Sequence, residues 1–137
     1  MKTIKTFLFV IIIFLFSSCY DKTSTNPNEV YQFWTGVKPS NEMKVINGKY
    51  WESGHFTKEY IMFLEIETDK YFWNKFKQEN QLVIDTIKNE NRMSEKPKWF
   101  TPSENSIQYK LNDNFDQGSR YYEDLINNKI YIYEIQL

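Results

Sequence analysis

The chain has 137 residues, with 17 basic and 18 acidic side chains, one histidine and one cysteine. This near-neutral, mixed-sign balance argues against a nucleic-acid partner, which calls for a basic face. A single cysteine excludes an internal disulfide, and one histidine cannot build a His/Cys zinc site, so stability must come from packing.

The N-terminus carries the clearest pattern. Lys2 and Lys5 give a basic start, Phe7 to Phe16 is an unbroken apolar run, and Phe16-Ser17-Ser18-Cys19 follows. The run falls short of the roughly 20 apolar residues that span a bilayer. It suits a signal-peptide core, with charge before it and small residues at its end. Ser17 and Ser18 let a peptidase approach the backbone, and the Cys19 thiol is a nucleophile suited to take a diacylglyceryl group. On these residues the segment resembles a bacterial lipoprotein precursor ending in a lipobox, with Phe16 where leucine is commonest.

The resemblance implies a signal peptide over residues 1–18, cleavage before Cys19, and acyl chains such as palmitate on Cys19 as the membrane anchor. Two chains anchor stably where one does not. Tyr20 rather than an aspartate follows Cys19. In lipoproteins an aspartate there is a common inner-membrane retention signal, so the expected address is the outer membrane of the cell envelope.

From Tyr20 onward 118 residues remain, enough for one domain. Lys2 and Lys5 leave with the leader and no acid does, so 15 basic residues face 18 acidic ones, a net charge of −3. Four Trp, ten Tyr and seven Phe remain, with no alanine anywhere. The core must therefore be built largely from rings, each able to bury roughly 150–250 Å².

Residues 19–29 are polar after Cys19 and read as a flexible tether, with one globular domain over 30–137. Val30 to Trp34 is apolar and suits a first helical turn or an edge strand. Asn47-Gly48, inside Met43 to Trp51, is the strongest two-residue turn signal and predicts a hairpin there. Tyr60 to Glu67 is apolar and then alternating, the pattern of a central strand with one wet end. Thr68 and Asp69 offer a cap for a helix over about 69–80, with Phe72, Trp73 and Phe76 on one face.

Leu82 to Ile87 suits a strand and Asn89 to Lys98 a loop, which Trp99-Phe100 pins to the core. Ile107, Tyr109 and Leu111 alternate as a strand, and Asn112 to Ser119 is rich in turn formers. Asn127-Asn128 joins two β-prone runs, Arg120 to Leu125 and Ile130 to Leu137, in a terminal hairpin. Tyr131, Tyr133, Ile135 and Leu137 share one face of its last strand, with Ile130 and Ile132 on the other, as expected mid-sheet.

Chemistry is sparse. His55 is flanked by Glu52 and Glu59, so a general base held by a carboxylate is conceivable, although no G-x-S-x-G elbow accompanies it. Asp113 and Gly118 fit two places of a calcium loop, but Phe115 and Asp124 stand where oxygen donors and a glutamate belong. Glu65 and Glu67 share one side of a strand and, with Glu134 or Glu123, resemble a glycosidase pair only in composition. Among the rings, Trp34, Trp51 and Tyr122 have polar neighbours and are the ones expected to be exposed for binding.

The expected fold is α+β, an antiparallel sheet of four to six strands with helix 69–80 across one face. The expected function is a membrane-tethered, non-catalytic interaction lipoprotein, inhibitor- or immunity-like, with a protein partner and no cofactor or metal. A glycan- or peptidoglycan-binding module using exposed rings is the alternative, and a small hydrolase using His55 with Glu52 or Glu59 comes third.

Overall fold

A computed structural model describes residues 20–87, 93 and 95–137. Residues 1–19, Cys19 among them, lie outside the described residues, as does part of the 89–98 loop. In chain order the elements are β1 (Lys22–Ser24), α1 (Pro27–Thr35), β2 (Lys44–Glu52), β3 (Tyr60–Glu67), α2 (Lys70–Glu79), β4 (Leu82–Ile84), β5 (Ile107–Leu111), β6 (Arg120–Asp124) and β7 (Lys129–Gln136). All strands join one antiparallel seven-stranded sheet in the order β1-β2-β3-β7-β6-β5-β4. The class is α+β as expected, with two helices among the described residues rather than one and more strands than the four to six foreseen.

The register assigns each face. Leu64 pairs with Ile132, and Tyr121 pairs with Ile132 from the other side. Met62, Leu64, Ile66, Tyr109, Tyr121, Ile130 and Ile132 therefore form one apolar face. Helix α1 covers it with Val30 and Tyr31, and α2 with Trp73. The opposite face carries Phe63, Tyr122, Tyr131 and Tyr133 under the fully buried Phe100, with Trp99 and Met93 packed beside them. Phe100 meets Phe63, Tyr122 and Tyr131 edge-on at 5.2–6.0 Å, the arrangement that ring quadrupoles favour.

Helix α2 follows its sequence signal. Asp69 caps it by accepting the Phe72 N–H at 2.6 Å, and Trp73 and Phe76 stack at 5.6 Å on the sheet-facing side. The terminal hairpin also stands where it was expected, with β7 at the middle of the sheet.

Two expectations are corrected. Residues 22–24, assigned to a tether, pair with β2, and Lys22 Nζ sits 3.5 Å above the Phe33 ring of α1. Helix α1 begins at Pro27, with the Asn26 side chain accepting from Asn28 and Glu29 N–H. The segment looked free because an exposed edge strand needs no apolar face.

The second correction concerns Asn47-Gly48, which turns nothing. It lies within β2, beside a register irregularity between Val45 and Asn47. A Cβ on Gly48 would stand 2.8 Å from Val30 Cβ and 3.2 Å from Pro27 Cα. The glycine is there to let α1 approach the sheet.

Candidate functional site

Glu134, on β7, pairs with Met62 of β3 and so points to the helix-covered face. Three elements converge on its carboxylate. Trp34 Nε1, near the end of α1, donates to Oε2 at 2.9 Å. The Tyr60 hydroxyl, at the start of β3, donates to the same oxygen at 2.9 Å. The Tyr121 hydroxyl of β6 donates to Oε1 at 2.7 Å. The Trp34 ring itself packs on Phe76 of α2 at 5.4 Å and against Tyr31 edge-on.

Burial raises the Glu134 pKa above the ordinary carboxylate value, while the three donors pull it back in part. Burial and the Glu134 charge push Tyr60 and Tyr121 well above the usual phenol range. Both phenols are therefore fixed donors at neutral pH, not bases. The cluster clamps α1 to the sheet and leaves a partly desolvated acid behind it.

That acid lines a cleft of about 520 Å³, walled by Tyr60, Tyr121, Phe115, Asp113 and Asp116 among others. Asp113 Oδ1 accepts the Phe115 N–H at 2.9 Å, and Asp116 Oδ1 accepts the Ser119 N–H at 2.9 Å, which folds the 112–119 loop over the cleft. Asp116 also lies 3.5 Å from Arg120, whose Nε pairs with Asp85 at 2.8 Å. The wall thus presents rings and carboxylates, among them the partly desolvated Glu134 with its three donors. Its chemistry suits a cation, and an arginine or lysine side chain fits by charge and by ring stacking.

Other acids are internally matched. Glu65, on the opposite face of β3, takes Lys129 Nζ at 2.7 Å and Asn47 Nδ2 at 2.6 Å. Glu123 takes Lys77 Nζ at 3.0 Å and the Tyr109 hydroxyl at 2.9 Å. Burial works against ionisation of Glu123, but the polar groups of Trp73, Lys77 and Tyr109 more than offset it and lower its pKa. The sheet separates Glu65 from Glu134, so no glycosidase-like pair forms between them. Among the described residues no cluster of three or more His, Cys, Asp or Glu has a metal-holding arrangement.

The remaining candidates scatter. His55 is exposed on the turn between β2 and β3, and among the described residues it has no hydrogen-bonded or ionic partner. Glu52 instead accepts from the Tyr50 hydroxyl, and Glu59 from Thr57 at 3.3 Å. Trp51 is half-buried, with Nε1 donating to Asp21 at 3.1 Å. Tyr122, expected at the surface, is only 6% exposed because Phe100 covers it. Trp34 is half-buried and serves the clamp. Cys19 lies outside the described residues.

Sequence reasoning named Trp34 but gave Glu134 no site of its own. The usable signal was the alternation Ile130, Ile132, Glu134, which puts an acid on an apolar face. No model of a known protein family matches the chain. No curated protein and no solved structure matches it significantly either.

Proposed function

We propose that the chain is a non-catalytic interaction protein of the bacterial cell envelope, held by acyl chains on Cys19 at the outer membrane. Its cleft beside Glu134 receives a basic side chain of a protein partner. The observation that carries the binding reading is the Glu134 carboxylate, partly desolvated at the base of a ring-lined cleft with Asp113 and Asp116 on its wall. An incoming guanidinium or ammonium would offset that desolvation, so attraction and fit act together. The leader pattern supplies the tether. No helix among the described residues is long and apolar enough to cross a membrane.

Placement supports the same reading. The cleft opens where β3 begins and β7 ends, the end of the sheet that also holds Tyr20 through Gly54. A partner reached through the cleft would itself sit close to the membrane.

The test uses full-length acylated protein in detergent. Arginine- and lysine-bearing peptides, their citrulline and acetyl-lysine counterparts, and soluble peptidoglycan fragments are titrated against it. The proposal expects binding of the charged peptides alone, weakened by salt and by Glu134→Gln or Asp113→Asn. Equal binding of charged and neutral peptides, or no binding, contradicts it.

Binding of the glycan fragments alone would favour the second reading, a glycan-binding module. That reading is supported by Trp51, which lines a groove of about 560 Å³ with Thr23, Lys49 and Glu95.

A further inference from the structure

The domain is tied down right up to its first described residue. Asp21 accepts the Trp51 indole N–H at 3.1 Å and the Gly54 backbone N–H at 3.1 Å. A Cβ on Gly54 would stand 2.8 Å from Tyr20 N and 2.9 Å from Tyr20 C and O, so the Tyr20 backbone lies directly on the turn between β2 and β3. Ser24, Lys22 and the β1 pairing continue the same attachment. Tyr20 thus lies directly on the fold, and a single peptide unit, with about 3.8 Å between its Cα atoms, joins it to position 19.

That same turn carries Phe56, whose ring is fully exposed, beside exposed His55 and Lys58. A fully solvated phenylalanine on a short turn loses the burial gain that the other rings of this chain obtain. Aromatic side chains settle at the headgroup level of a bilayer, and a lysine beside them can extend its ammonium to the phosphates.

We propose that the β2–β3 turn, led by Phe56 with Lys58, seats in the lipid headgroup layer next to the acylated Cys19. The domain then stands on the membrane in one orientation instead of floating on a tether. The inference rests on the lipid-anchor reading above and adds the surface that meets the bilayer. The Leu125 to Asn128 turn then faces away from the membrane, since β7 begins there and ends with Gln136 beside Tyr60, at the end of the sheet that carries the β2–β3 turn.

The experiment uses the full chain, acylated in cells and reconstituted into vesicles of phosphatidylethanolamine and phosphatidylglycerol. With Cys19 blocked by lipid, His55→Cys, which keeps Phe56, and Ile126→Cys each offer one free thiol for an environment-sensitive fluorophore. Both positions are exposed, so neither substitution disturbs the core, and circular dichroism checks this. The proposal expects a blue-shifted emission at position 55, quenching there by brominated lipid, and a severalfold lower iodide quenching constant than at position 126.

Equal iodide access at both positions, in vesicles that float with the protein, overturns the seating while leaving the anchor standing. Protein that neither floats nor carries acyl label removes the anchor, and the seating with it. Protection of position 55 in detergent that rises with protein concentration assigns the turn to a second copy and also overturns the proposal.

Discussion

Gly48→Ala tests why β2 runs unbroken through a turn-forming dipeptide. The new methyl would stand 2.8 Å from Val30 Cβ, 2.9 Å from Val30 Cγ2 and 3.2 Å from Pro27 Cα. Carbon pairs prefer about 3.5–4.0 Å, so α1 must lift by several tenths of an ångström. It cannot slide easily, because the Asn26 cap holds its start and the Lys22–Phe33 contact its last turn. Overpacking of this kind costs about 1–3 kcal/mol. Alanine returns about 0.4–1 kcal/mol by restricting the unfolded chain, which leaves a net loss of about 1–2 kcal/mol.

Urea unfolding of the chain from Tyr20 onward, followed by tryptophan fluorescence, reads this as a lower midpoint at constant slope. Val30→Ala removes the 2.9 Å Cγ2 contact, leaves the Cβ contact, and so relieves the clash in part. The double variant should therefore lose less than the two singles together, by about 0.5–1 kcal/mol. A glycine needed only for a tight turn would show a cost with no coupling to Val30. Additive losses, or a Gly48→Ala chain as stable as the parent, refute the close-approach argument.

Three further outcomes follow from the site and the core. Glu134→Ala strands three donors and should cost about 2–4 kcal/mol, whereas Glu134→Gln keeps an acceptor and should cost clearly less by the same urea assay. Because burial raises the Glu134 pKa above 4.5, its contribution to stability is greatest when protonated and falls as pH rises through the raised value. Glu134→Gln should remove that slope from a pH–stability profile.

Asp124 behaves oppositely. Burial opposes its ionisation, but bonds from Asn127 and Ser103 win and hold it near about 2, below the usual 3.8. Its stabilisation, about 1–2 kcal/mol, is present above pH 3.8 and disappears as pH falls toward 2. Asp124→Asn should therefore destabilise at neutral pH and match the parent in acid. Phe100→Ala empties the plug over Tyr122 and Tyr131 and should lower stability by about 3–5 kcal/mol, measured by thermal unfolding.

The sequence was legible where pattern and packing agree. Tyr60 to Glu67 is a strand with the bounds its apolar run implied, and the Asp69 cap with Phe72, Trp73 and Phe76 marks α2 to within a residue at each end. Asn128, at φ 52°, takes the left-handed conformation that asparagine tolerates, so the terminal hairpin turns where it should. It failed where one residue type serves two purposes. Glycine at 48 signals a turn locally but answers a contact with Val30, which no local window contains.

Helix α1 carried its own marks, Asn26 then Pro27 with Gly36 after Thr35, yet they lay in a stretch whose polarity suggested a tether. The Glu134 site needed strand register. Only the pairing of Met62 with Glu134 puts that acid opposite Trp34, Tyr60 and Tyr121. Tyr122, expected at the surface from its polar neighbours, was misjudged, since Phe100 from a distant loop hides it.

The measurement that bears most directly on the whole account is metabolic labelling with palmitate, comparing the parent chain with Cys19→Ala. The account predicts label on the mature parent protein and none on the variant, which should leave the membrane fraction. A parent chain that takes up no label, or a Cys19→Ala chain that stays as firmly membrane-bound, would contradict it.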